Sequence, residues 1–129
     1  MKISALIALT LLFAPVAASL AESIDLATMQ SLTPQEAAAL QQEVIFLDVR
    51  STLEWHMGHV KGAVHIPYQD VAKEVTSIIP DRSVPVITYC ASGGRASYVI
   101  ESMRKLGYTV LPVVKGGYRD LIANGMQKD

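Results

Sequence analysis

The chain of 129 residues has one cysteine, Cys90. A single thiol excludes an internal disulfide framework, and it excludes a thiol–disulfide oxidoreductase that needs a resolving cysteine of its own. No cysteine stands near the N-terminal segment to carry a lipid. Charge is just as sparse in pattern: 11 Lys and Arg are scattered against 12 Asp and Glu, for a formal net charge of -1. There is no basic block of the kind a nucleic-acid surface requires. The apolar run over residues 3–14 falls well short of the roughly 20 residues that span a bilayer. Internal repeats and low-complexity segments are absent. The length fits one domain, and a hydrophobic fraction of 50% is ample for a core.

The N-terminal residues have the form of a secretory signal peptide. Lys2 supplies a minimal positive charge, residues 3–14 are apolar apart from Ser4 and Thr10, and Pro15 breaks the run. Ser19, Leu20 and Ala21 offer small residues at the cleavage positions, with Val16, Ala17 and Ala18 as a second candidate. The expectation is a signal peptide over residues 1–21 and a single domain over 22–129. That domain would be periplasmic or secreted, with no stable membrane association after cleavage. In an exported chain, an unpaired cysteine is a buried small hydrophobe, an intermolecular link or a reactive thiol.

Strands and helices alternate along the rest of the chain. Thr33, Pro34 and Glu36 make a capping box with proline at the first helical position, so a helix is expected from there to about Gln42. Residues 44–47 form a short apolar strand ending at Asp48. Ser51 and Glu54 form a second capping box, opening a short helix that stops near Gly58. Residues 63–66 read as a strand closed by Pro67, and Asp70 as the cap of a helix through Ile79. Residues 84–89 are a further apolar run. From Arg95 to Leu106, Ala96, Val99, Ile100 and Met103 recur at helical spacing. Arg104 and Lys105 suit the last turn of that helix, and Gly107 its stop. Residues 109–114 are a strand, Gly116 and Gly117 a turn, and residues 118–124 a closing helix. Short, continuously apolar strands alternating with helices predict an α/β layer structure on a parallel sheet.

Cys90 stands at the end of an apolar strand, and Ala91, Ser92, Gly93 and Gly94 lead from it to Arg95 at a helix start. Ligands in open α/β sheets bind beyond the carboxyl ends of strands. Free N–H groups and the helix dipole attract anions there. Gly93 and Gly94 can adopt positive φ and turn successive N–H groups inward. Such a cup stabilises a thiolate as a nucleophile, with Arg95 adding positive charge at the rim. The plainer alternative is a core cysteine followed by an ordinary turn. The loop size bears on what the cup holds. Cys-based phosphatases use a loop one residue longer, wide enough for phosphate. The shorter loop here suits a single anionic atom, such as the terminal sulfur of Cys-S-S⁻.

These residues resemble the rhodanese family. Tyr89 to Arg95 matches its active-site loop of Cys, four residues and Arg. Leu47, Asp48, Val49 and Arg50 look like its strand followed by Asp-x-Arg. Glu54, together with His59, Gly62 and Ala63, resembles its Glu and His-x-x-Gly-Ala signature, and Gly116, Gly117 and Tyr118 its Gly-Gly-aromatic turn. The match covers residues 44–125. Ala96 departs from the usual Ser or Thr, Lys61 from the usual Pro, and Leu121 from the common Trp. The resemblance implies a three-layer fold with a central, mostly parallel five-stranded sheet flanked by helices. It implies a thiosulfate sulfurtransferase with Cys90 catalytic and Ala91, Ser92, Gly93, Gly94 and Arg95 binding substrate, and no metal or organic cofactor. Its partners would be a small anionic sulfur donor, thiosulfate, and a thiophilic acceptor, cyanide or a thiol. No nucleic acid is implied, and the expected state is a monomer. A persulfide carrier or docking module with little turnover is the competing function. A phosphatase or arsenate reductase on the same fold is disfavoured by the short loop.

Other residues have plainer readings. His56 and His59 are three apart, yet nothing nearby completes a metal-ligand set; the resemblance makes His59 structural. His65 reads as a loop or strand-edge residue. Asp48, Arg50 and Glu54 could form an acid–base set, but Arg50 pairing with a carboxylate is the commoner arrangement. Trp55 and Tyr118 read as packing residues, with the rim of the Cys90 loop as an alternative place for Tyr118. Lys115 and Arg119 flank the Gly-Gly turn, either as solvated charges or as attractors of an anion.

Overall fold

The computed structural model describes residues 24–26 and 28–129. The expected signal peptide and both candidate cleavage sites lie outside the described residues. Among the described residues, five strands form one parallel sheet: β1 (Ser31–Leu32), β2 (Ile45–Asp48), β3 (Val64–His65), β4 (Val86–Tyr89) and β5 (Val113–Val114). Their order is β1-β5-β4-β2-β3. Five α-helices accompany them: α1 (Pro34–Ala39), α2 (Thr52–His56), α3 (Val71–Ile78), α4 (Gly94–Lys105) and α5 (Tyr118–Ala123). No described helix is long and apolar enough to cross a membrane.

Alternation along the strands creates three layers. Leu47 and Val49 of the β2 segment, and Val86 and Cys90 of the β4 segment, face one core with Val71 and Val75 of α3 and Val99, Ile100 and Met103 of α4. Phe46, Ile87 and Tyr89 face the other core, with Ala37 of α1 and Leu121 of α5. Both faces of the sheet are covered, which is why Ile45, Phe46 and Leu47 of β2, Val86 and Ile87 of β4, and Val113 and Val114 of β5 are continuously apolar.

Register places the chemistry. Ile45 pairs with Val86 and Asp48 with Tyr89, so β2 and β4 end level with each other. The Val49 N–H donates to the Tyr89 carbonyl at 3.1 Å. The segments after Asp48 and after Tyr89 therefore emerge side by side at the carboxyl edge.

Several elements are shorter than expected. The helix from Pro34 ends at Ala39, with Leu40 as its C-cap. Only Val113–Val114 of residues 109–114 joins the sheet as a strand, next to Pro112, which has no N–H to donate. Asp70 does not cap α3 with its side chain. Tyr68–Asp70 is a 3-10 turn that runs straight into the helix, so Asp70 has helical backbone rather than the extended conformation of a cap. Strand β1 lies in a stretch of weak periodicity with no strand signal of its own, and is held by its parallel pairing with β5.

Candidate active site

Cys90 follows β4 directly and is 1% exposed. The Gly93 N–H donates to Cys90 Sγ at 2.9 Å, curling the loop around the sulfur. Gly93 makes the curl possible with φ 105, in the left-handed region, and is the N-cap of α4. Gly94 differs from expectation: its φ is not positive, and it is the first residue of the helix. One glycine therefore makes the turn and the other begins α4. Ala91 and Ser92 form the exposed outer side of the loop.

A second turn presses on the first. The Tyr118 N–H donates to the Cys90 carbonyl at 2.8 Å. The Gly117 N–H donates to the Asp120 carboxylate at 2.8 Å, which fixes the start of α5 against the loop.

Arg95 is half-buried and committed to a partner. Its Nη1 donates to Glu54 Oε1 at 2.6 Å and its Nη2 to Glu54 Oε2 at 3.0 Å. The Ser51 hydroxyl and N–H also donate to Glu54 Oε1, at 3.0 and 3.2 Å. Glu54 thus completes the capping box of α2 and clamps the loop arginine from across the site. The Arg95 hydrogen bonds hold its carboxyl at about 2, with Ser51 acting in the same direction and burial against it. The Arg95 guanidinium is raised in turn, chiefly by its hydrogen bonds to Glu54.

Asp48, Arg50 and Glu54 do not form one set. Arg50 Nη2 donates to Asp48 Oδ2 at 2.7 Å, and also to the Gly58 carbonyl at 2.7 Å. Its guanidinium carbon lies 4.0 Å from the centroid of the Tyr118 ring. Burial works against the Arg50 charge, but the Asp48 hydrogen bonds and charge carry its pKa upward. Asp48 and Arg50 are both buried, and they tie β2 to the turn after α2, as the ion-pair reading expects. Tyr89 sits beneath them, its hydroxyl accepting the Val60 N–H at 3.1 Å. Burial first, then the Asp48 charge, push the Tyr89 phenol well above its ordinary range.

Two of the three histidines, His59 and His65, lie in a stack of rings, and His56 is exposed at the end of α2. His59 stacks on Trp55 at 3.4 Å and His65 at 4.7 Å between centroids. His59 Nδ1 is 2.9 Å from the Trp55 carbonyl, and His65 Nε2 is 2.9 Å from the Arg50 carbonyl. Each imidazole donates to a carbonyl, so both act in packing. No group of His, Cys, Asp and Glu among the described residues could hold a metal.

A cavity of about 480 Å³ opens beside the loop, lined by Arg50, Glu54, Met57, Gly58, Ala91, Tyr118 and Arg119. Arg119 is in its wall; Lys115 is not. The sequence gives no sign of the Glu54–Arg95 clamp, whose members are 41 residues apart. The level ends of β2 and β4 would have indicated it, but that register is visible only in the fold.

A parallel α/β sheet with a cysteine at the end of its central strand, and a loop wrapped on the sulfur, defines the open α/β class whose ligands bind beyond the carboxyl ends of the strands. Within that class the chain belongs to the rhodanese-like domain family, whose model matches residues 33–124. It is 30% identical over 76 residues to the thiosulfate sulfurtransferase PspE of Escherichia coli, covering 59% of this chain and 72% of that protein. It is 34% identical over 74 residues to the putative sulfur carrier protein YrkF of Bacillus subtilis, covering 57% of this chain and 39% of that protein. Among solved structures it resembles a rhodanese with anions from E. coli, with a TM-score of 0.57 and 30% identity, over 66% of this chain and 95% of that one.

Proposed function

We propose that the protein is a thiosulfate sulfurtransferase that carries sulfur as a persulfide on Cys90. The Cys90 thiolate attacks the outer sulfur of thiosulfate. A bond forms between Sγ and that sulfur, the bond to the sulfite sulfur breaks, and its electron pair leaves with sulfite. A thiophilic acceptor, cyanide or a thiol, then attacks the outer sulfur and Cys90 is freed as thiolate. This double displacement gives ping-pong kinetics and needs neither metal nor organic cofactor. The carrying observation is the Gly93 N–H donated to Cys90 Sγ inside a loop of four residues between Cys90 and Arg95. A donor already aimed at the sulfur supports a bound anionic sulfur. Arg95, neutralised by Glu54, serves this reading by holding the loop in shape more than by drawing the donor in. The signal peptide expected over residues 1–21 extends the proposal to a periplasmic or secreted site of action.

Intact-mass measurement after exposure to thiosulfate tests the reading. The expected result is a gain of one sulfur atom, absent in Cys90→Ser, with thiocyanate formed from thiosulfate and cyanide by the unaltered protein. No gain would overturn it. The similarity to a putative sulfur carrier favours a second reading, in which the persulfide is held for a partner. A stable persulfide mass with negligible thiocyanate formation would establish that reading instead.

A further inference from the structure

The cavity beside the loop is larger than thiosulfate, sulfite or cyanide requires. Its volume of about 480 Å³ falls within the roughly 300–1,000 Å³ of sites that take organic ligands. The Tyr118 ring and Met57, which is 81% exposed, give it apolar surface. Its charges are mostly spent. Arg50 is paired with Asp48, and Glu54 has both oxygens on Arg95. Arg119 is the exception. It lines the same cavity, is exposed, and its side chain has no hydrogen-bond or ion-pair partner among the described residues. One uncompensated positive charge therefore faces a pocket of organic-ligand size that borders Ala91, the residue next to Cys90.

We propose that Arg119 determines acceptor specificity, selecting a low-molecular-weight organic thiol that bears a carboxylate. The proposal rests on the persulfide reading above. The carboxylate pairs with Arg119 while the acceptor chain lies along Tyr118 and Met57, and its thiolate reaches past Ala91 to the sulfur on Cys90. The thiolate electron pair forms a bond to the outer sulfur. The bond between that sulfur and Sγ breaks, and its electron pair returns to Sγ. The products are the persulfide of the acceptor and free Cys90 thiolate, with no external oxidant or reductant.

The test separates the two half-reactions. Protein is loaded with thiosulfate, freed of excess donor, and mixed with mercaptopropionate, mercaptoethanol or cysteamine, which are anionic, neutral and cationic thiols of similar size. Loss of the persulfide is followed by intact mass. Arg119→Ala is expected to lower the discharge rate constant for mercaptopropionate by about three- to fivefold relative to mercaptoethanol, the upper part of the range for a solvent-accessible ion pair. Arg119→Glu should go further and favour cysteamine, and Arg119→Lys should restore most of the preference for the anion. A change of the same size with all three thiols would overturn the proposal. So would slower loading by thiosulfate with unchanged discharge, which would give Arg119 to the donor. Failure of the unaltered protein to load at all is seen before any thiol is added, and counts against the persulfide reading itself.

Discussion

Gly117 and Ala91 approach each other more closely than any other residue at position 117 would allow. A Cβ on Gly117 would stand 2.0 Å from the Ala91 carbonyl oxygen, 2.4 Å from its carbonyl carbon and 2.8 Å from the Cys90 carbonyl oxygen. The φ of Gly117 is -141, ordinary extended backbone, so the requirement is for space and not for conformation. The turn before α5 is thereby wedged against the loop that follows β4, and it buttresses the backbone of Cys90 and Ala91.

Gly117→Ala should therefore displace the loop. A backbone contact cannot yield as a flexible side chain can, so the expected destabilisation is about 1–3 kcal/mol, as for other overpacked sites. Persulfide formation should fall by on the order of 100-fold, because a shift of about 1 Å in a reacting group is enough for that. Urea unfolding and the rate of mass gain with thiosulfate measure the two effects. Normal loading in a folded Gly117→Ala protein would show that the buttress is dispensable.

Gly93 and Gly94 should respond oppositely to alanine. Gly93 has φ 105, which costs an L-residue about 1–2 kcal/mol. Gly93→Ala should also weaken the N–H···Sγ hydrogen bond and slow sulfur loading. Gly94 is helical, and a Cβ there meets nothing within 4 Å. Gly94→Ala should be neutral, or stabilise by about 0.5–1 kcal/mol through the lost flexibility of the unfolded chain. Thermal unfolding of the two variants in parallel reads the contrast, and equal shifts would refute it.

These two glycines mark where sequence reading stops. Adjacent glycines after a cysteine announce a curled loop, but only the backbone shows which of them bears the positive φ. Local patterns translated directly into structure. The expected apolar face of Ala96, Val99, Ile100 and Met103 is the buried face of α4, and both capping boxes, Thr33 with Glu36 and Ser51 with Glu54, close as read. These signals act within a turn or two of helix and need no tertiary partner. Strand β1 and the clamp between Glu54 and Arg95 depend on neighbours distant in the chain, so nothing local marked them. Arg119 carried two readings in the sequence, and the cavity beside it makes the anion-attracting one worth testing.

Asp48 should be the more sensitive half of the buried pair with Arg50. Asp48 is fully buried, and it holds the Arg50 guanidinium against the Tyr118 ring. Asp48→Ala leaves that cation buried without its counter-charge, and the expected cost is about 3–5 kcal/mol. Removing both charges with Asp48→Ala and Arg50→Met should cost less than Asp48→Ala alone. Denaturant midpoints of the two proteins make the comparison. A double variant less stable than the single would mean that the contacts of Arg50 with Gly58 and Tyr118 outweigh its buried charge.

The Glu54–Arg95 clamp makes a contribution to stability that acid removes. The Glu54 carboxyl is held at about 2 by its hydrogen bonds to Arg95, against an ordinary value of 4.5. A carboxyl whose folded-state pKa is depressed adds stability that is complete above its unfolded value. That stability is lost as pH falls from there through the folded value. The window therefore runs from about 4.5 down to about 2. Because the pair is about a third exposed, at 31% and 32%, solvent screening limits the gain to about 1 kcal/mol or less. Glu54→Gln removes the charge but can keep one hydrogen bond to Arg95. The unaltered protein should be the more stable at neutral pH, and the two should converge as pH approaches 2. Urea midpoints across that range measure the difference. A gap that stays constant to the acid end would mean that Glu54 acts through packing or its capping bond to Ser51, and not through its charge on Arg95.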